Sequence, residues 1–158
     1  MMENPGFQQA LDAALRFLGP RPRSIREVRQ RLRRRGLAAE DIEGVVARLQ
    51  DLGYLDDAAF ADFWIENRES FRPRGKRLLE QELRQRGIDT GALEERLADL
   101  DEEASAMRAA RKKAQGLARS GYPTFAAKIS GFLKRRGFSY EVVTAVTRRL
   151  WMEVALDA

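Results

Sequence analysis

The sequence has no cysteine and no histidine among its 158 residues. Without thiols there is no disulfide framework and no thiolate nucleophile. Without histidine as well, the common zinc and haem ligand sets and the usual acid–base triads cannot be assembled. No uncharged run approaches the roughly 20 apolar residues of a bilayer crossing, so no membrane span is expected. Met1 to Gln9 has no basic stretch leading into an apolar core, so no signal peptide is expected and the cytoplasm is the expected location. Alternating β-branched runs are missing too, which argues against strands. What is present is 34% charged and 44% hydrophobic residues, too apolar for a disordered chain.

The net charge of +5 is unevenly spread. Residues 1–55 carry 10 basic and 7 acidic side chains, residues 56–101 carry 8 and 12, and residues 102–158 carry 11 and 5. The densest basic stretch, Arg21 to Arg35, holds eight Arg against the single Glu27. Basic ends of this kind suit a polyanion or an acidic protein surface, although a solvated helix face would read the same way.

Three segments superimpose: Leu32-Arg-Arg-Arg-Gly36-Leu37, Leu83-Arg-Gln-Arg-Gly87-Ile88 and Leu133-Lys-Arg-Arg-Gly137-Phe138, with glycines 51 and 50 residues apart. Such a period signals a modular array. The phase continues outward. Val28, Leu79 and Ile129 lie eight residues before the glycines, and Ile42, Leu93 and Val143 lie six after. These spacings put apolar residues on one helical stripe on either side of each glycine. The glycine itself fits a left-handed position just past a helix end. Asp89 and Ser139 can cap the helix that follows, whereas the first unit has Ala38 there and must rely on Glu40 and Asp41.

Each unit has room for one more helix upstream. The first runs from about Gln8 to Leu18, with Leu11, Ala14, Leu15 and Leu18 in phase, and is broken by Gly19-Pro20-Arg21-Pro22. Ser24-Ile-Arg-Glu27 then reads as a capping box. Phe60, Phe63 and Trp64 mark the second such helix, which ends before Arg72-Pro73-Arg74-Gly75. The third spans about Glu103 to Ala118 and stops at Gly121-Tyr-Pro123-Thr124. The expected fold is all-α: three tandem three-helix repeats, helix-turn-helix-like, at 8–55, 56–101 and 102–154. Units of about 50 residues are marginal alone, so neighbours are expected to share contacts in an elongated, curved array. Tyr54 is expected to fix the first junction. Phe17, Phe132 and Trp151 are read as core.

Sequence-specific reading of duplex DNA by the last helix of each unit is disfavoured. Glu40, Asp41, Glu43 and Asp51 in the first, and Glu94, Glu95 and Asp99 in the second, would face phosphates. Only the third could approach DNA, through Arg148 and Arg149. The candidate partner-binding cations gather instead on and before the helix that precedes each glycine. They are Arg26, Arg29, Arg33 and Arg34; Arg72, Arg74, Lys76 and Arg77; and Lys128, Lys134 and Arg135. A loop gains nothing from a helix dipole, so the 72–77 stretch carries the stronger signal. Arg35, Arg86 and Arg136 are read as ordinary helix-terminal cations. The acidic pairs Asp56-Asp57 and Glu94-Glu95 have no nucleophile or base at a useful spacing, and there is no Gly-rich phosphate loop. No catalytic constellation, metal site or cofactor is expected.

Four stretches together resemble the RecX family of bacterial recombination regulators: Arg23 to Gly36, Leu52-Gly-Tyr-Leu-Asp-Asp-Ala-Ala-Phe-Ala61, Arg72 to Arg77 with Glu82 to Ile88, and Phe132 to Tyr140. The similarity runs from about residue 10 to residue 152. It implies three tandem three-helix repeats, a non-enzymatic monomer that binds along the groove of the RecA–single-stranded DNA filament, and inhibition of RecA's ATPase and strand exchange. That role belongs to homologous recombination, DNA repair and the SOS response. The family supplies no catalytic residues to carry over. Non-specific contact with single- or double-stranded DNA belongs to the same expectation. The alternatives are a basic helical DNA-binding protein acting without RecA, and an adaptor whose basic ends hold an acidic protein.

Overall fold

The computed structural model describes residues 4–157, and among these there are nine α-helices and no strand. The first repeat contributes α1 (Pro5–Leu18), α2 (Ile25–Arg34) and α3 (Ala39–Asp51). The second contributes α4 (Asp57–Phe71), α5 (Lys76–Gln85) and α6 (Thr90–Ala98). The third contributes α7 (Glu102–Gly116), α8 (Tyr122–Arg135) and α9 (Tyr140–Asp157).

The repeated glycine ends the middle helix of each repeat. Gly36, Gly87 and Gly137 have φ of 76°, 85° and 86°, in the left-handed region that a Cβ disfavours. In each turn the residue after the glycine donates to the carbonyl five residues before itself: Leu37 to Leu32, Ile88 to Leu83, and Phe138 to Leu133. The glycine N–H donates to the carbonyl three residues before it, so two otherwise orphaned carbonyls are satisfied at each helix end. At the helix starts, Ser24 and Glu27 form the reciprocal capping box, and Ser139 Oγ accepts from the Val142 N–H. Ala38 provides no side-chain cap, and Glu40 and Asp41 occupy the first turn of α3. Helix α1 begins earlier than the apolar phase indicated, because Asn4 Oδ1 accepts from the Phe7 N–H and Pro5 fits the first turn.

A second device, used twice, ties the start of a middle helix to the following repeat. Asp57 Oδ1 accepts from the Ile25 N–H at the start of α2, and Glu102 Oε1 accepts from the Lys76 N–H at the start of α5, each at 2.9 Å. Both acids open the first helix of the next repeat. The aspartate just before each caps that helix itself: Asp56 accepts from Ala58 and Ala59, and Asp101 from Ala104. The next repeat's glycine turn closes on the same place. A Cβ on Gly87 would lie 2.9 Å from the Arg26 Cβ, and one on Gly137 would overlap the Leu78 Cβ. A Cβ on Gly36, in the first repeat, would meet nothing within 4 Å. The third repeat differs as well. Helix α8 starts fifteen residues before its glycine, where α2 and α5 start eleven before theirs, so its first turn stands beyond the position this grip would use.

The chain divides into two compact units. One comprises the residues up to Trp64 with Leu83–Ala92; the other comprises Ile65–Glu82 with Leu93 onward. The division runs through the second repeat, since α4, α5 and α6 each contribute to both. In the first unit the core joins Ala10, Ala13, Ala14, Val28, Leu32, Ile42, Val45, Val46, Leu49 and Leu55. In the second unit it joins Ala106, Met107, Ala110, Ala114, Phe125, Ile129, Leu133, Phe138, Val143, Val146, Leu150 and Val154. Each fully buried Leu or Ile contributes roughly 1.5–3 kcal/mol relative to exposure.

Several core expectations need correction. The buried face of α1 is Ala10, Ala13 and Ala14, with Phe17 half-buried, whereas Leu11 and Leu18 are half-buried and Leu15 is 42% exposed. The small alanines let α1 lie close to its neighbours, which turns the leucine stripe toward the rim. Tyr54 does not fix a junction: it is 63% exposed, because Gly53 (φ 80°) closes another left-handed turn that sends Tyr54 outward and Leu55 into the core. Phe60 and Trp64 are buried as expected, but Phe63, Phe132 and Trp151 are half-buried. Phe17 and Phe132 serve as seats for guanidinium groups, with Arg23 4.0 Å above the first ring and Arg136 4.6 Å above the second.

Candidate functional site

The backbone of the 72–75 loop fixes the most cation-rich surface of the second unit. Gly75 lies against Gly137 with no room for a side chain, and its N–H donates to the Arg136 carbonyl at 2.8 Å. A bulkier residue at either glycine would separate the two segments. Their contact sets Arg72 and Arg74 of the second repeat beside Arg135 and Arg136 of the third. Arg136 registers the crowding. Burial lowers its pKa first, and the charges of Arg74, Arg72 and Arg135 push the same way.

Not all of these cations are available. Arg74 sits 3.8 Å from Glu82, which also holds Arg68 at 2.7 Å, so Arg74 belongs to a partly buried network that anchors the loop. Lys76 and Arg77 are not loop residues, as the sequence suggested, but the first two residues of α5. There the helix dipole disfavours positive charge. Glu102 relieves this by accepting the Lys76 N–H. Arg72, Arg77, Lys134 and Arg135 are exposed, and no carboxylate among the described residues pairs with them.

Beside this cluster lies a cleft of about 560 Å³ lined by Lys76, Arg77, Glu80, Glu102, Lys134 and the Gly137–Tyr140 turn. Tyr140 is 75% exposed at its edge. The geometry therefore brings together Arg72, Arg74, Lys76, Arg77, Lys134 and Arg135 of the candidate cations. It adds Arg136 and Tyr140, which sequence reasoning set aside or did not consider. The signal for Arg136 was its place beside Gly137, the residue on which the loop rests.

The remaining candidates are not part of this cluster. Lys128 is exposed on α8. Arg148 is exposed on α9, and its neighbour Arg149 pairs loosely with Glu103 at 3.6 Å. In the first unit Arg29 is held by Glu43 at 2.9 Å, Arg26 lies along Gly87, and Arg33 and Arg34 are exposed at the end of α2. Arg86, read as a helix-end cation, lies 3.9 Å over the Trp64 ring. Among the described residues no group of side chains could hold a metal ion, and no helix is long and apolar enough to cross a membrane.

A surface with several like charges and few counter-ions is suited to bind anions, since each anion that docks relieves repulsion already present in the fold. Comparison with known proteins gives this surface a context. Residues 10–49 match the first three-helix domain of RecX, residues 56–97 the second, and residues 101–147 the third. Regulatory protein RecX of Pelodictyon phaeoclathratiforme is 34% identical over 148 residues, covering 94% of this chain and 92% of that protein. Regulatory protein RecX of Mycolicibacterium smegmatis is 34% identical over 148 residues, covering 87% and 79%. The crystal structure of RecX from Lactobacillus salivarius has the same fold, with a TM-score of 0.78 at 23% identity over 93% of this chain and 97% of that one. The chain belongs to the RecX family of regulatory proteins.

Proposed function

We propose that this protein is a non-enzymatic negative regulator of the RecA recombinase, acting in the cytoplasm as a monomer. It binds the RecA–single-stranded DNA filament and lowers the filament's ATPase and strand-exchange activity. Family membership supports the regulatory role. The observation that carries the mode of binding is the cluster built across the Gly75–Gly137 contact, where cations of two successive repeats meet. A filament presents the same features at regular intervals, and a surface assembled from repeats matches such a partner better than a single pocket does.

The test is RecA's DNA-dependent ATP hydrolysis with and without this protein. Hydrolysis is expected to slow well below one protein per RecA subunit. The variant Arg72→Glu/Arg77→Glu/Lys134→Glu/Arg135→Glu changes only exposed positions and spares the Arg74–Glu82 network. It should keep its helicity and lose most of the inhibition. Full inhibition by that variant would move the contact surface elsewhere, to the first-repeat cations Arg26, Arg29, Arg33 and Arg34 or to Lys128, Arg148 and Arg149. No effect of the folded wild-type protein at any concentration would refute the proposal. DNA binding without RecA is the second reading, favoured by exposed Tyr140 beside the cations. It predicts tight binding to naked DNA, where the first reading expects weak binding that falls steeply with salt.

A further inference from the structure

The aromatic rings that this chain leaves in water are not scattered. Phe71 is 78% exposed and Tyr140 75%, more than any other aromatic side chain among the described residues. Both belong to the second unit, and both flank its cation cluster. Phe71 is the last residue of α4, directly before Arg72, and Tyr140 opens α9 just past the Gly137 turn. Gly75 rests on Gly137, with its N–H on the Arg136 carbonyl, and so ties the two stretches together. At about 3.6 Å of chain per residue, neither backbone position can lie farther than roughly 15 Å from that contact. An extended ligand of several units can therefore reach both rings.

The faces of these rings are free. Elsewhere the chain covers its rings with its own side chains: Arg23 stands over Phe17, Arg86 over Trp64 and Arg136 over Phe132, and Tyr122 packs edge-on against Trp151. Among the described residues neither Phe71 nor Tyr140 has such a partner. The charge around them is positive. Arg72, Arg77, Lys134 and Arg135 are exposed without carboxylate partners, and Lys76 and Arg136 adjoin them. The nearby acids are Glu80, Glu102 and Glu141, of which Glu102 already accepts the Lys76 N–H; Arg74 and Glu82 are taken up by the partly buried network. Six cations against three carboxylates leave a positive surplus. Neither the 71–77 nor the 134–140 stretch contains a Leu, Ile, Val or Met, so the apolar surface offered here is aromatic.

We infer that Phe71 and Tyr140 are base-stacking residues that make the cation cluster select an unpaired nucleic-acid strand over a duplex. The inference rests on the reading of this cluster as the contact surface, and adds what the surface holds. Phosphates of the strand lie against Arg72, Arg77, Lys134 and Arg135, and unpaired bases lie on the two rings. Cations alone would not discriminate in this direction, because a duplex carries more phosphate charge per length than a single strand. The rings reverse the order. In a duplex the base faces are already stacked on one another, and a protein ring reaches one only at the cost of unstacking. An acidic protein segment would answer the cations but give two separate aromatic faces no planar partner.

The probe is a fluorescein-labelled oligothymidylate of about twelve nucleotides, titrated with the full-length protein by fluorescence anisotropy at several salt concentrations, without RecA. Its comparators are a duplex of the same length, an abasic strand with the same phosphates, and oligoglutamate. The strand should bind about tenfold or more tighter than any of the three. Phe71→Ala and Tyr140→Ala should each weaken strand binding about fivefold or more, with circular dichroism unchanged, and leave duplex and abasic binding as they were. Tyr140→Phe, which keeps the ring, should bind like wild type. The dependence of affinity on salt is set by phosphate contacts, so it should be unaltered in the alanine variants and shallower in Arg135→Glu. Equal binding of strand and duplex, or of strand and abasic strand, would overturn the inference. So would alanine variants that bind like wild type, or no saturable strand binding up to roughly 1 mM protein. Displacement of the strand by oligoglutamate at equal concentration would make the cluster a site for acidic protein instead. The ATPase test separates this inference from the reading beneath it. Full inhibition by the four-charge variant removes the cluster as contact surface, whereas lost inhibition together with normal strand binding by Phe71→Ala/Tyr140→Ala removes only the stacking.

Discussion

Replacing the three repeat glycines with alanine one at a time separates backbone strain from inter-repeat contact. All three have φ between 76° and 86°, so each alanine incurs the left-handed penalty of about 1–2 kcal/mol. At Gly36 nothing lies within 4 Å, and that penalty is the whole expected cost. At Gly137 the new methyl would overlap the Leu78 Cβ, with the α5 backbone at 3.1 Å behind it. Overpacking against a backbone that cannot yield adds about 1–3 kcal/mol. Gly87 should fall between the two, because its nearest obstacle, the Arg26 Cβ at 2.9 Å, is a milder overlap than the one at Gly137. The chain's two tryptophans suit the measurement: Trp64 lies in the first unit and Trp151 in the second. Urea unfolding followed by fluorescence in single-tryptophan backgrounds would report each unit through its own midpoint. The expected order, from mild to severe, is Gly36→Ala, Gly87→Ala, Gly137→Ala. Equal losses at Gly36 and Gly137 would refute the contact and leave only the turn.

Two further tests address the first unit. Leu55→Ala should destabilise by about 2–5 kcal/mol because Leu55 is buried in the core, while Tyr54→Ala at its exposed neighbour should stay within about 0.5 kcal/mol; comparable losses in chemical unfolding would restore Tyr54 as a structural residue. Burial pushes the Glu27 carboxyl up, but the Arg21 hydrogen bond, the Ser24 N–H and the charges of Arg21 and Arg86 outweigh it and hold its pKa below the ordinary value. Its stabilisation is therefore present above the unfolded-state pKa and lost as pH falls through the folded one. Glu27→Gln should flatten that acid-side loss. Asp57 runs the other way: burial raises its pKa, so its contribution is present at low pH and lost as pH rises through the folded value. Asp57→Asn, which keeps an acceptor for the Ile25 N–H, should gain relative to wild type toward neutral pH in the same unfolding series.

The all-helical fold and its threefold repetition were legible because they rest on local rules. Apolar spacing, Ser24–Glu27 and the three glycines each act within a few residues of chain. The course of α1 was misread because volume, not hydrophobicity alone, decides which face turns inward: three alanines admit a closer approach than the leucines beside them. Tyr54 was misread because the left-handed turn at Gly53 decides which of two adjacent apolar residues faces the core. The acidic pairs were the largest missed signal. Asp56-Asp57 has a counterpart in Asp101-Glu102, and in each the first carboxylate caps its own helix while the second reaches back to the preceding repeat. Spacing alone does not expose this, because the partner amides lie 32 and 26 residues upstream.

The same grip explains why six of the thirteen candidate cations converge while Arg26 and Arg29 do not. Holding the start of α5 with Glu102 fixes Lys76 and Arg77 beside the third repeat, and seating Gly75 on Gly137 brings the loop ahead of them onto the turn that carries Arg135 and Arg136. At the start of α2, the corresponding grip by Asp57 and Gly87 engages Arg26 along its stem, while Arg29 is neutralised by Glu43. The contact between successive repeats therefore has two outcomes set by a few side chains. Where the loop ends in glycine and the following turn is flanked by arginine, it concentrates charge; where a carboxylate stands opposite, it remains a structural joint. The repeat supplies the geometry, and the departures from the repeat decide where its cations gather.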